Sequence, residues 1–208
     1  MHLPEVRVRR SRAIAIAIAL VTVAPAGAEK NRAGGPATPA PAIEDEIVRH
    51  MALSQPGREH RQLDPLVGSW SVDLLWRGAG GIETRARGTS ENRWILDGRF
   101  LLCDSTAGEG PSRIDATTVY GFDSQQDGYF ALSLHNLATS VLQLSGSFDR
   151  ATQSFLLSGK QRDEVTGTVL VRRQLLKIEG PDRYVVRVYF DVAGRAPVRV
   201  VEAVFTRR

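Results

Sequence analysis

The sequence predicts an all-β protein, an up-and-down antiparallel β-barrel of about ten strands preceded by a short N-terminal helix. From Leu66 onward, apolar and polar residues alternate with a period of two, which is typical of strands that bury one face. Short turn sequences such as Asp97-Gly98 and Gly180-Pro181-Asp182 separate these stretches. Connections this short join antiparallel neighbours, and about ten such strands in one sheet are expected to close and hide their edges.

The first 28 residues are predicted to be a signal peptide. Four arginines between positions 7 and 12 form a positive n-region, residues 13–24 form an apolar stretch too short to span a bilayer, and Ala26-Gly27-Ala28 is an A-x-A-type cleavage site. We therefore expect a periplasmic or secreted protein, exported by the general secretory or the twin-arginine route. The alternative is an uncleaved anchor.

Removal of this segment leaves 23 basic and 22 acidic residues, a net charge of +1. The mature chain is therefore expected to bind neither nucleic acid nor an anionic membrane, and to have no membrane span. Cys103 is the only cysteine, so no intramolecular disulfide can form and the core must supply the stability. The length suits one domain, whose oligomeric state the sequence leaves open.

The segment before the barrel divides into a linker and a helix. Residues 29–42 are rich in Ala, Gly and Pro and predict a disordered linker, and the barrel domain is assigned to residues 43–208. Ile43, Ile47 and Met51 recur at helical spacing, with acidic residues in the first turn, which predicts a short helix. A further helical turn is expected before Pro65.

Eleven alternating segments are expected to be strands. They are Leu66–Trp76, Ile82–Ser90, Asn92–Leu96, Arg99–Ser105, Ile114–Phe122, Tyr129–Leu137, Val141–Phe148, Ser154–Gln161, Thr168–Ile178, Tyr184–Val192 and Val198–Arg207. Gly88, Gly146 and Gly159 are expected to relieve crowding where the sheet bends.

Four sequence signatures resemble those of a bacterial lipocalin-like family known only as a domain of unknown function. They are Pro56-Gly57-Arg58-Glu59-His60, Leu66-Val67-Gly68-Ser69-Trp70, Asn92-Arg93-Trp94-Ile95-Leu96-Asp97-Gly98-Arg99-Phe100-Leu101 and Phe205-Thr206-Arg207. The resemblance covers roughly residues 53–208 and implies a calycin-type barrel, but it implies no activity. His135 stands where the family pattern leads us to expect an aspartate.

The lipocalin likeness also implies a closed barrel base at Gly68, Trp70, Phe205 and Arg207. Because Phe205 and Arg207 share a face, Arg207 is expected to lie across the Trp70 ring in a cation–π contact. We assign this group a structural role, and the alternative is that Arg207 binds an anion.

The alternation also predicts which residues line the barrel interior. We expect this interior either to bind a small hydrophobic ligand or to be filled by the barrel's own side chains. The predicted pocket residues are Trp70, Val72, Leu74, Thr84, Tyr120, His135, Leu142, Phe155, Val186 and Phe190. On the strand of His135, the apolar face of Phe130, Leu132 and Leu134 is the one expected to point inward, although a polar lining with His135 inside is the alternative.

No catalytic residue, metal site or cofactor is predicted, because the chain lacks H-E-x-x-H, paired cysteines, Gly-x-Ser-x-Gly and a phosphate-binding loop before a helix. His60 is interpreted as a packing or capping group. The enzyme alternative is a calycin-like isomerase, cyclase or hydrolase that brings His135, Asp104 and Arg173 together inside the barrel. A haem-binding barrel is a further alternative that would use His135 or His60.

Overall fold

Ten antiparallel strands form one closed barrel in the computed structural model, which describes residues 43–78, 81–163, 166–191 and 196–208. The strands follow one another in chain order around the barrel, and the last strand pairs with the first. They are β1 (Gly68–Arg77), β2 (Glu83–Ile95), β3 (Phe100–Ala107), β4 (Ile114–Asp123), β5 (Gly128–His135), β6 (Leu142–Asp149), β7 (Ser154–Arg162), β8 (Val169–Gly180), β9 (Arg183–Asp191) and β10 (Val198–Arg207). The prediction of an all-β, up-and-down antiparallel barrel is confirmed.

In the described segment ahead of β1, which begins at residue 43, there are two short helices. Helix α1 spans Ile43–Leu53, with three acidic residues in its first turn, and α2 spans Arg58–Arg61. A 3₁₀ turn at Asp64–Leu66 leads into β1, and a second at Gly110–Ser112 lies between β3 and β4. The predicted short N-terminal helix is thus confirmed.

The predicted signal peptide (1–28) and linker (29–42) lie outside the described residues. No helix among the described residues combines the length and the apolar character that a membrane span needs.

One strand boundary was wrong in the sequence interpretation. The segments 82–90 and 92–96 form the single strand β2, which pairs with β3 without a break. No turn residue separates the two segments. The register with β1 and β3 is continuous across them. The inner side of the sheet therefore carries one uninterrupted series of side chains, Gly88, Ser90, Asn92 and Trp94.

The inward face of β5 also differs from the expected one. Ala131 pairs with Tyr120 on β4 and with Leu144 on β6, and all three are buried, so Tyr129, Ala131, Ser133 and His135 share the inner face. Phe130, Leu132 and Leu134 lie on the outside. Outward Phe130 packs against Phe100 with ring centroids 6.1 Å apart, so an apolar residue on this strand does not by itself mark the core.

Side chains seal the barrel at the end where β1 begins. Leu63 and Leu66, from the segment ahead of β1, are buried against Trp70, Leu101 and Phe155 in one hydrophobic cluster. The two ends of the barrel therefore differ, and we call the sealed end the base.

Candidate functional site

The base is organised around Trp70, whose side chain is 0% exposed. Its indole Nε1 donates to the Leu66 carbonyl oxygen at 2.9 Å, and its ring meets Tyr184 edge-on with centroids 4.7 Å apart. The Arg207 guanidinium lies 4.3 Å from the Trp70 centroid. It also donates to the carbonyl oxygens of Val67 and Pro65 at 3.0 and 3.3 Å. Arg207 thus ties the last strand to the segment that enters the first.

Gly68 has a physical reason to be glycine. Its φ is +125°, and a Cβ at this position would lie 2.6 Å from Nη1 of Arg207. Any side chain here would both strain the backbone and displace the guanidinium from the base. The spacing from Gly68 to Trp70 therefore reflects the need to admit Arg207 over the tryptophan ring.

A buried polar network completes the base. The Asn92 side-chain amide donates to the Leu66 carbonyl oxygen at 2.8 Å and to the Tyr184 hydroxyl at 3.0 Å, while Ser90 donates to the Asn92 side-chain oxygen at 2.7 Å. Burial raises the pKa of Tyr184, so the phenol stays protonated. Each of these groups has a partner, which indicates a structural network rather than a reactive one.

His60 lies beneath the base, outside the barrel. Its Nδ1 accepts a hydrogen bond from the Gly57 backbone N–H at 3.1 Å, and its ring meets Phe122 edge-on at 5.9 Å. Burial lowers the pKa of His60, which favours the neutral acceptor form. His60 therefore caps α2 and packs against the barrel.

At the opposite end of the barrel, inward-facing side chains are partly open to solvent. Leu74, Ala86, Ala116, Val186 and Phe190 are half-buried, although they lie on the same inner faces as fully buried residues near the base. Further along β1, Trp76 is 42% exposed. We call this half of the barrel, away from the base, the open half.

Small side chains line one wall of the open half. They are Ala86 and Gly88 on β2, Ser105 and Ala107 on β3, Ala116 and Thr118 on β4, and Ser133 on β5. Barrels of about eight strands have an interior just wide enough for their side chains or one small ligand, and the diameter grows with strand number. A ten-stranded barrel therefore has a wider interior than an eight-stranded one, and small side chains line part of it.

The predicted pocket residues fall into three layers. Trp70, Val72 and Phe155 are buried in or next to the base, Tyr120 and Leu142 are buried further up, and Leu74, Thr84, His135, Val186 and Phe190 lie on inner faces in the open half. The alternation thus brings all ten to the inner side of the sheet, but the first three belong to the sealed layer.

The sequence interpretation missed the most unusual group in this interior, Arg172. Its neighbours in register are Gly159 on β7 and Phe190 on β9, which places it on the inner face together with Gln174. Nη1 donates to Oε1 of Gln161 at 3.3 Å, whereas the buried Nε has no hydrogen-bond partner. Burial lowers the pKa of Arg172. The period-two series Leu170, Arg172, Gln174 and Leu176 contains it, but the alternate series Val169, Val171, Arg173 and Leu175 is equally apolar, so the local period does not identify the inward arginine.

Tyr120 and Gln174 lie next to Arg172. The Gln174 amide donates to the Tyr120 hydroxyl oxygen at 3.0 Å. Burial raises the pKa of Tyr120 and the neighbouring Arg172 charge partly offsets this, so the phenol keeps its proton. Among the described residues no acceptor receives that proton.

His135 faces the interior at the open end of β5, where it pairs with Ala116. Its Nδ1 is buried and has no hydrogen-bond partner. Two register positions nearer the base, the Thr118 and Ser133 hydroxyls are 2.9 Å apart.

The other two residues of the enzyme alternative point away from the interior. Asp104 lies on the outer face, where it accepts hydrogen bonds from Arg93 at 3.0 Å and Thr117 at 2.9 Å. Arg173 is also on the outer face, paired with Asp191 at 2.7 Å. Strand alternation separates both residues from His135, so the expected catalytic group does not assemble.

The outer surface of β10, β1 and β2 carries a groove lined by Asp73, Glu83, Arg85 and Glu202, among others. Each of these carboxylates is paired with an arginine. In the parts of the chain that the structure describes, no cluster of three His, Cys, Asp or Glu residues could hold a metal ion. Of the three buried polar side-chain atoms without a hydrogen-bond partner among the described residues, two lie on inward faces, namely Nε of Arg172 and Nδ1 of His135.

Comparison with known proteins identifies a family and several similar solved structures. Residues 55–207 match the model of a family described as "Protein of unknown function (DUF1579)". The chain is similar in structure to an S-type phycobiliprotein lyase from Guillardia theta, with a TM-score of 0.48 and 10% sequence identity over 74% of this chain and 98% of that one. No curated protein matches this sequence.

Proposed function

This chain belongs to the DUF1579 family of proteins of unknown function, and we propose that it is an exported, non-enzymatic protein that binds a small hydrophobic ligand in the open half of its barrel. The observation that carries the proposal is the change in exposure along the inner faces. On β1, Trp70 is 0% exposed and Trp76 is 42% exposed, although alternation gives both the same orientation. A barrel with one sealed end and one accessible end suits a carrier.

The chemistry of the lining supports an apolar ligand. Leu74, Leu142, Val186 and Phe190 supply apolar surface on inner faces, and Leu74 and Leu142 pair directly with Ala86 and Ser133 of the wall of small residues. Removal of apolar ligand surface from water contributes roughly 25 cal/mol per Å². A ligand that fills this space would therefore gain free energy mainly from burial.

Export is proposed from the sequence of residues 1–28. Mass spectrometry of the protein recovered from its own host tests it, because cleavage after Ala28 gives a mature chain that begins at Glu29. Recovery of the full-length chain in the cytoplasm would refute export without bearing on ligand binding.

Native mass spectrometry of the same material tests ligand binding, followed by a thermal-shift screen against lipids and aromatic compounds. Ala116→Phe places a large ring in the open half and should abolish the shift. Leu134→Phe is the matched control, because Leu134 lies on the outside of the adjacent strand and is 44% exposed. Absence of both a co-purifying ligand and any thermal shift would rule out the proposal.

One observation favours haem as a second candidate, namely the unpaired Nδ1 of His135 on an inner face. His60 is unsuited, because its Nδ1 already accepts a hydrogen bond outside the barrel. Haem titration should then give a Soret band that His135→Ala abolishes. An unchanged spectrum of added haem would exclude this candidate.

A further inference from the structure

Away from the base, where Arg207 covers Trp70, Arg172 is the one permanently charged side chain on the inward faces of the ten described strands. The acidic residues of these strands, such as Asp73, Asp104 and Glu202, share the outer face or lie at strand ends, and the described chain gives Arg172 no carboxylate partner. An unpaired charge that is largely removed from water is destabilising unless something compensates it. The interior therefore carries an uncompensated positive charge.

Hydrogen-bond donors converge at this position. Arg172 holds a guanidinium with a single described acceptor, the Gln161 side chain at 3.3 Å, and its buried Nε is unsatisfied. Tyr120 supplies a phenol hydrogen that is free, because Gln174 occupies the oxygen only as a donor. A planar guanidinium beside a hydroxyl donor matches the two oxygens of a carboxylate.

Beside the polar side chains of Gln161 and Gln174, apolar side chains line this part of the inner faces. Phe190 lies beside Arg172 in register, and Leu142 and Val186 also contribute inward-facing apolar side chains. A ligand that satisfies both parts of the site must combine one anionic group with an apolar body.

From this arrangement, and resting on the proposed function, we infer that the barrel binds an amphipathic monocarboxylic acid, with Arg172 and Tyr120 as the residues that hold its carboxylate. Arg172 supplies the charge and two parallel N–H donors, and Tyr120 adds a third donor. The apolar body of the acid lies against the inner faces of the open half.

The test compares decanoic acid with decanol by isothermal titration calorimetry at neutral pH, because the two probes share a chain and differ in charge. The wild-type protein should bind the acid roughly tenfold more tightly or better, since a hydrogen-bonded charge pair contributes more than a neutral one. Arg172→Gln should remove this preference, so that the ratio of the two affinities measured on this variant falls to about one. Tyr120→Phe should weaken binding of the acid by a smaller factor.

Arg173→Gln is the matched control, because this adjacent arginine points outward and pairs with Asp191. It should keep the preference for the acid. Arg172→Lys retains the charge and should keep part of it, which provides a second variant if Arg172→Gln does not fold.

The outcomes separate this inference from the proposed function. Equal affinities of the wild-type protein for the acid and the alcohol, or an acid preference that survives in Arg172→Gln, would overturn the role of Arg172 while leaving a hydrophobic carrier intact. Binding of neither probe, together with an uncharged ligand from the thermal-shift screen, would also overturn it. Failure of every compound to bind would refute both.

Discussion

Replacement of Trp70 by alanine should destabilise this protein more than most single substitutions. The side chain is 0% exposed and lies where the first and last strands meet. Truncation of a buried tryptophan costs about 3–5 kcal/mol through lost burial and the cavity left behind. We expect a value near the middle of this range, because the rigid ring of Tyr184 and the paired strands limit collapse into the cavity.

Loss of the Trp70 hydrogen bond does not add to this free-energy cost of the Trp70→Ala substitution. Trp70 donates to the Leu66 carbonyl oxygen, but Asn92 donates to the same oxygen at 2.8 Å, so the acceptor keeps a partner in the variant. Only the donor is lost, and it leaves together with the indole. The loss therefore reflects packing rather than an unsatisfied buried carbonyl.

Urea titration and thermal denaturation measure the decrease in the free energy of unfolding of Trp70→Ala. At about 2–4 °C per kcal/mol for a domain of this size, the melting temperature should fall by roughly 8–16 °C. Trp76→Ala is the matched control on the same strand and face. Because Trp76 is 42% exposed, its replacement should cost only about 1 kcal/mol.

A double-mutant cycle with Arg207→Ala tests the contact over the ring. Arg207 is partly exposed, and its removal alone should cost about 1–2 kcal/mol from the lost stacking and carbonyl contacts. The coupling with Trp70→Ala should be about 0.5–2 kcal/mol. Equal urea midpoints for Trp70→Ala and Trp76→Ala, or strictly additive single effects, would refute this account of the base.

The barrel architecture could be predicted from the sequence because alternation and short turns are compatible with few other folds. Ten strands joined in chain order must close or expose an edge, and closure follows from β1 pairing with β10. The glycines add a local signal. A Cβ at Gly88, Gly146 or Gly159 would lie 1.7, 1.9 or 2.3 Å from a carbonyl oxygen of a neighbouring strand, so each marks a close approach of two strands.

The residues of the interior site were harder to predict from the sequence, because the outer face of this barrel is itself partly apolar. On β5, Phe130 and Leu132 suggest an inward face although they lie outside. Arg172 and Arg173 are adjacent, so composition cannot tell which one is inside, and only the pairing of β8 with β7 and β9 decides. Register across three strands is long-range information that a local period does not contain.

Three further predictions concern the core and its surroundings. Gly88→Ala should destabilise the barrel by about 2 kcal/mol or more in urea titrations, because its Cβ would lie 1.7 Å from the Thr106 carbonyl oxygen, and a stability equal to wild type would contradict this close approach. Burial raises the pKa of the Cys103 thiol, so a thiol reagent followed by absorbance should react with it only after unfolding, and rapid reaction of the folded protein would show that Cys103 is accessible. Arg187 donates a hydrogen bond to Glu202 and holds the pKa of that carboxyl below its usual value of 4.5. Because the folded-state pKa is the lower one, this contribution to stability is complete above the unfolded-state pKa and is lost as the pH falls through the folded-state pKa. The free energy of unfolding should therefore decline more steeply on acidification in the wild-type protein than in Glu202→Gln, and parallel pH profiles for the two proteins would show that the hydrogen bond contributes nothing.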